Sequence, residues 1–119
     1  MLIEVLNRNV PVESEARDWI KRRVHFALGR FVARIRRVAV IVEDINGTRG
    51  GIDKRCRLRI TLIPEGEVVV EHVDSTVEAA TAHAAERAAR SVIRALERQR
   101  EYRVEPERVV SVSRWLAIR

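Results

Sequence analysis

The chain has one cysteine, Cys56, among 119 residues, which excludes an internal disulfide framework. No apolar run approaches the ~18 residues that would suggest a membrane span. The opening MLIEVLNRNV has no basic segment leading into an apolar one, so it does not read as a signal peptide. These absences make the cytoplasm the expected compartment and leave no expected membrane partner. There is no internal repeat and no low-complexity tract, and the length suits a single domain. Lysine is nearly missing, present only at Lys21 and Lys54.

What is present is arginine. Lys and Arg together number 23 against 17 acids, for a formal net charge of +6. A guanidinium fork pairs bidentately with phosphate and stacks on bases. An arginine-rich domain therefore points to a polyanionic partner, nucleic acid first. Hydrophobic residues make up 46% of the chain, enough for a core.

The pattern along the chain gives six elements. Leu2 to Leu6 alternates as a short strand, broken by Asn7-Arg8-Asn9 and Pro11. Ile20, Val24, Ala27, Leu28 and Phe31 recur at helical spacing over 14–30, with Ser14 as the expected N-cap and Gly29 near the far end. Val38 to Ile45 is a continuous β-branched run, followed by a loop over 46–51. Cys56, Leu58, Ile60 and Leu62 alternate inward while Arg55, Arg57 and Arg59 face out. Pro64-Glu65-Gly66 turns the chain into a strand over 67–73, so the last three strands read as an antiparallel meander. A long helix over 76–101 follows, with Ser75 and Glu78 in capping-box positions. Its apolar face holds Val77, Ala84, Ala88, Val92, Ala95 and Leu96.

The expected fold is therefore α+β, in the order β-α-β-β-β-α, with a four-stranded sheet and two roughly parallel helices packed on one face. The expected division is a domain over 1–101 and a tail over 102–119 of unassigned role. That tail is apolar at Val109, Val110, Val112, Trp115, Leu116 and Ile118, so it docks on the core, adds an edge strand, or binds a partner.

The sharpest constellation is Arg87, Arg90, Arg94 and Arg98 on the last helix. Their spacings of 3, 4 and 4 put them on one stripe. Four arginines within about 17 Å of helix repel one another unless an anion lies across them. Glu86 and Glu97 flank the stripe, and the bland alternative is a solvated, salt-bridged face. Arg17, Lys21, Arg22 and Arg23 on the first helix form a second basic group, continued by Arg30, Arg34, Arg36 and Arg37. Side by side, the two helices would present one broad positive face. It has almost no Asn or Gln to read base edges, so phosphate and shape recognition fits better. Arg49, Lys54 and Arg55 are possible further contacts.

Enzyme readings find little support. Cys56 belongs to the inward set of a strand, which suits a structural thiol. His25, His72 and His83 are scattered; His83 and Glu86 share a helix face, but no second such pair completes a metal site. Gly47, Gly50 and Gly51 lack the strand-loop-helix context of a phosphate loop. No catalytic group, metal or cofactor is expected.

The element order and several segments resemble the ribosome hibernation-promoting and ribosome-associated inhibitor family. Ile3-Glu4-Val5 through Asn9 into Val12 is similar to its opening strand and turn. Arg17 and Ile20-Lys21-Arg22-Arg23-Val24 match its first helix. Asp74-Ser75-Thr76-Val77-Glu78-Ala79-Ala80 resembles its entry into the last helix, and Leu96-Glu97-Arg98-Gln99 its ending. The resemblance covers about residues 2–101. It implies a non-enzymatic, bacterial, stress-related factor whose basic helix face lies in the messenger- and transfer-RNA channel of the small ribosomal subunit, blocking translation. The partners implied are the small subunit and its ribosomal RNA, with no small-molecule substrate. The positions that match are Arg17, Lys21, Arg22, Arg23, Arg87, Arg90, Arg94 and Arg98. Long members carry a further dimerisation domain; fewer than twenty residues follow Tyr102 here, and they match nothing in the family. Two other classes remain open: a general double-stranded-RNA-binding or RNA-chaperone module, and a protein-interaction domain acting through the tail.

Overall fold

The computed structural model describes residues 1–46 and 53–118, with side chains described up to Arg100. The order is β1 Leu2–Arg8, α1 Ser14–Leu28, a 3-10 segment Gly29–Arg34, β2 Ile35–Asp44, β3 Lys54–Leu62, β4 Glu67–Asp74 and α2 Val77–Ile118. This is the expected β-α-β-β-β-α arrangement. The four strands lie in sequence order in one mixed sheet. β1 runs parallel to β2, because α1 carries the chain back between them. The β2–β3 and β3–β4 pairs are antiparallel hairpin neighbours.

Both helices cover one face of the sheet. Val5, Val38, Val40, Val42, Cys56, Leu58, Ile60 and Leu62 point beneath them and are buried. α1 contributes Ile20, Val24 and Leu28, one turn apart, and α2 contributes Ala80, Ala84, Ala88, Val92 and Ala95. Burying each large aliphatic side chain contributes roughly 1.5–3 kcal/mol. The alanines add less, but they let α2 lie close on β3 and β4. Ile35 and Val38 are both buried although three residues apart, which strict alternation forbids. A register shift between Ile35 and Arg37 resolves this by inserting one residue and turning Arg36 to solvent.

Several boundaries differ from the sequence reading: β1 runs on through Asn7 and Arg8, read as a break, and β2 begins at Ile35 rather than Val38. Ser14 is the first residue of α1 rather than its cap; Glu13 holds the cap position and makes no side-chain cap bond. At α2 the cap is Thr76, whose Oγ1 accepts from the Ala79 N–H at 3.1 Å. Ser75 is diverted, because its own N–H donates to Asp74 Oδ1 at 2.8 Å. The backbone of α2 also runs past residue 101 to Ile118, so the tail continues the helix instead of adding an edge strand. Its run from Glu101 to Arg103 is made of residues a helix accepts, and nothing there stops it.

Candidate nucleic-acid interface

The cationic side chains divide into two populations. On the open face of the sheet most are paired; Arg8 at the end of β1 and Arg36 at the β2 register shift are exposed, with no ion-pair partner among the described residues. Arg37 contacts Glu4 at 2.8 Å, Arg57 contacts Glu71 at 3.0 Å, and Arg59 contacts Glu67 at 3.3 Å. Arg55 donates to Glu43 through Nε at 2.9 Å and through Nη2 as well. The strand register makes these pairs, since Arg57 stands opposite Glu71 and Arg55 opposite Glu43. Lys54 is likewise occupied, 2.7 Å from Asp53 and 3.5 Å from Asp44. The hydrogen bond to Asp53 chiefly holds its pKa above the ordinary lysine value. Of the loop contacts expected from sequence, Lys54 and Arg55 thus already have carboxylate partners, and Arg49 lies outside the described residues.

The stripe on α2 is different. Arg87, Arg90, Arg94 and Arg98 are all exposed, and among the described residues none has an ion-pair partner within 4.0 Å. Arg94 donates to Ser91 Oγ at 3.4 Å. Glu86, expected to temper the stripe, turns to α1 instead and pairs with Arg23 at 3.4 Å. At about 100° per residue, the arginines share a sector with His83, which reaches Asp74 at the end of β4. Arg98 lies beside Glu65, Gly66 and Glu67 of the β3–β4 turn. The stripe therefore follows the shoulder of α2 above β4, on the side away from α1.

The first-helix group is not one surface. Arg17 curls onto the edge strand, where it donates to the Val5 carbonyl and, at 3.3 Å, to Asn7 Oδ1. Lys21, one turn on, projects from the same side. Arg23 sits in the seam between the helices, 5.6 Å over the Phe26 ring. Arg22 is exposed beside a hollow lined by Glu13, Glu15, Trp19 and Glu78. Of the second group beyond α1, Arg34 is tied to the Ile63 carbonyl at 3.0 Å, and Arg30 lies 4.8 Å over Phe31.

Cys56 is buried, and burial pushes its thiol up to about 11, away from the thiolate a nucleophile needs. One cluster escaped the sequence reading. His72, Asp74 and His83 come together at the end of β4, with ligand-type atoms all within 4.8 Å. His72 and Asp74 share a strand face two residues apart, a signal visible in sequence, but only tertiary packing adds His83. The Ser75 N–H, first among several donors, holds the Asp74 carboxyl below its ordinary pKa. Among the described residues, no helix is long and apolar enough to cross a membrane.

The profile of the sigma 54 modulation protein / S30EA ribosomal protein family matches residues 3–100. The chain belongs to that family. The hibernation-factor resemblance of its strand, cap and Leu-Glu-Arg-Gln segments is thereby met. Two solved structures share the fold. The Thermus thermophilus Protein Y N-terminal domain superposes with a TM-score of 0.64 at 24% identity, covering 79% of this chain and 98% of that one. A ribosomal subunit interface protein from Coxiella burnetii gives a TM-score of 0.68 at 11% identity, covering 82% and 99%. No curated protein matches the chain in sequence.

Proposed function

We propose that this S30EA-family protein is a short ribosome hibernation factor, a non-enzymatic inhibitor that occupies the messenger- and transfer-RNA channel of the small subunit. Family membership supports a ribosomal partner, and the likeness to a ribosomal subunit interface protein agrees with it. The observation that carries the reading is the contrast in charge pairing. The sheet pairs Arg37, Arg55, Arg57 and Arg59 with its own carboxylates, whereas α2 offers Arg87, Arg90, Arg94 and Arg98 as a stripe with no ion-pair partner among the described residues. Such a stripe binds phosphate by charge and shape and carries no base code. Arg22 and Lys21 extend the contact around α1, and Arg23 and Arg17 contribute to it by leaving their present partners. In this reading residues 1–101 form the RNA-binding unit, 102–119 a tail of separate role, and the protein acts in the cytoplasm.

Co-sedimentation with purified small subunits, alongside a generic RNA duplex at the same salt, tests it. Preferential pelleting with the subunit, displaced by messenger or transfer RNA, is the expected result. Equal affinity for the duplex would replace the proposal with a general RNA-binding module. Failure to pellet at low salt would remove the ribosome as partner.

A further inference from the structure

The cluster at the end of β4 has a chemistry that RNA binding does not use. His72 Nε2 lies 3.3 Å from Asp74 Oδ2, and His83 Nδ1 lies 3.3 Å from the same oxygen. The two imidazole rings are 4.7 Å apart between centroids, tilted by 38°. We propose that His72, Asp74 and His83 form a zinc site that clips the end of β4 to the first turns of α2.

Donor type comes first. Two imidazoles and one carboxylate suit a borderline divalent ion such as zinc, and three protein ligands leave a fourth position for water. Spacing comes next. Tetrahedral zinc with bonds of about 2.0–2.2 Å separates its ligand atoms by roughly 3.3 Å. That is the separation of His72 Nε2 from Asp74 Oδ2, so β4 alone presents a preformed half of the site. The arrangement follows from the pleat, because residues two apart on a strand share a face. The half-buried side chains of His72 and Asp74, each 28% exposed, are held in place, while His83 at 55% keeps a route open to solvent.

His83 has the support that metal-bound histidines need. Its Nδ1 lies 2.9 Å from the Ala79 carbonyl, one turn back on α2. A proton on Nδ1 donated to that carbonyl leaves Nε2 as the bare nitrogen. This is the outer hydrogen bond that fixes the tautomer of a ligating imidazole. Binding through Nε2 asks the ring to shift while it keeps this bond, since it is Nδ1 that lies 3.3 Å from Asp74 here.

The surrounding charges both oppose and favour a cation. The N-terminus of α2 is the positive end of its dipole, and Arg87 is exposed one turn beyond His83. Against them stand the Asp74 carboxylate and Glu78 in the first turn of α2. Lys54, opposite Asp74 in the strand register, is held by Asp53 and Asp44 and contributes little free charge. The balance leaves the site open to a strongly bonding ion such as zinc and poor for magnesium or calcium, which want carboxylate and carbonyl oxygen.

The test is zinc titration of the untagged full chain by calorimetry at about pH 7.5, since metal binding competes with protons for the ligand atoms. Cobalt(II) serves as a spectroscopic substitute. His83→Gln, His72→Gln and the control His25→Gln are measured beside it, with far-UV dichroism confirming the fold. His83 is exposed on a helix, so its variant folds even if His72→Gln does not. Saturable one-to-one binding is expected, with tetrahedral cobalt bands and a higher melting temperature with zinc. His83→Gln should weaken it by more than the roughly 10–100-fold that losing an outer hydrogen-bond partner costs, and His25→Gln should leave it unchanged. No saturable binding in the low-millimolar range overturns the site. So does binding that persists unaltered in His83→Gln.

Discussion

Arg34 Nη2 donates to Gln99 Oε1 at 3.3 Å, joining residues 65 positions apart. The same guanidinium donates through Nε to the Ile63 carbonyl, and Gln99 Nε2 donates to the Glu65 carbonyl at 2.6 Å. One amide thus fastens α2 to the segment before β2 and to the β3–β4 turn. Removing it in Gln99→Ala leaves the half-buried Arg34 with fewer acceptors. We expect a loss of about 1–3 kcal/mol, because bonds to charged donors exceed ordinary ones. Thermal denaturation should show a fall of roughly 4–8 °C per kcal/mol for a domain of this size.

Gly66 is constrained by the same contact. Its φ is +105°, and a Cβ there would stand 2.8 Å from Gln99 Nε2. Gly66→Ala should therefore destabilise by about 1–3 kcal/mol through backbone strain and the clash together. The double variant Gly66→Ala, Gln99→Ala removes the clash but not the strain. Its loss should be smaller than the sum of the two singles, and a double-mutant cycle measures the difference. Strict additivity would mean that the amide moves aside at no cost.

Much of this was legible in the sequence. Cys56 to Leu62 alternates with period two, and its inward set is the buried set. The alanine face of α2 is its packed face. The closing Leu96-Glu97-Arg98-Gln99 segment has a physical content that the pattern did not reveal, since Gln99 is the clamp and Arg98 the end of the stripe. The pairing of charges was not legible. Arg57 meets Glu71 because of strand register, and Glu86 meets Arg23 because two helices lie side by side. Neither relation is local. The same reason hid the approach of His83 to His72 and Asp74, whereas the shift of the α2 cap one residue beyond the expected Ser75 is a local effect of the Ser75 N–H bonding Asp74 Oδ1.

The Cys56 thiol gives a pH dependence of known sign. Its pKa rises from 9.0 unfolded to about 11 in the fold, through burial. The unfolded chain therefore loses the proton first, so this contribution is intact below pH 9.0 and declines as pH climbs toward 11. At about 1.4 kcal/mol per unit, the loss is on the order of 2–3 kcal/mol. Urea unfolding at both ends of that range, compared with Cys56→Ala, checks it; the variant should lack this part of the slope. A disulfide reagent at pH 8 should react with native protein only as fast as the fold opens.

Thr81 is fully buried in α2, and its hydroxyl has no well-formed hydrogen bond among the described residues, only the Cys56 thiol nearby. A buried unpaired hydroxyl costs about 1–3 kcal/mol. Thr81→Val keeps the shape and removes that cost, at little change in helix propensity. The variant should be as stable as the parent or more so, by up to about 1 kcal/mol in urea unfolding. A marked loss would show that the hydroxyl is satisfied in solution.

The two arginine populations should separate in a salt series. Each phosphate contact contributes about 0.7–0.9 to the slope of log affinity against log salt. Replacing Arg87, Arg90, Arg94 and Arg98 by glutamine should therefore make the slope of subunit binding shallower by about 3 if all four touch phosphate. Replacing Arg57 and Arg59 removes two positive charges, yet these already face Glu71 and Glu67 across the open sheet. Exposed pairs of this kind stabilise by only about 0–1 kcal/mol, so the fold survives their loss. Their removal should shift affinity slightly through net charge and leave the slope unchanged. If both variants flatten it equally, the partner responds to overall charge and α2 has no privileged role. If only the sheet variant does, the open face is the binding surface, and the unpaired stripe on α2 is a solvated one.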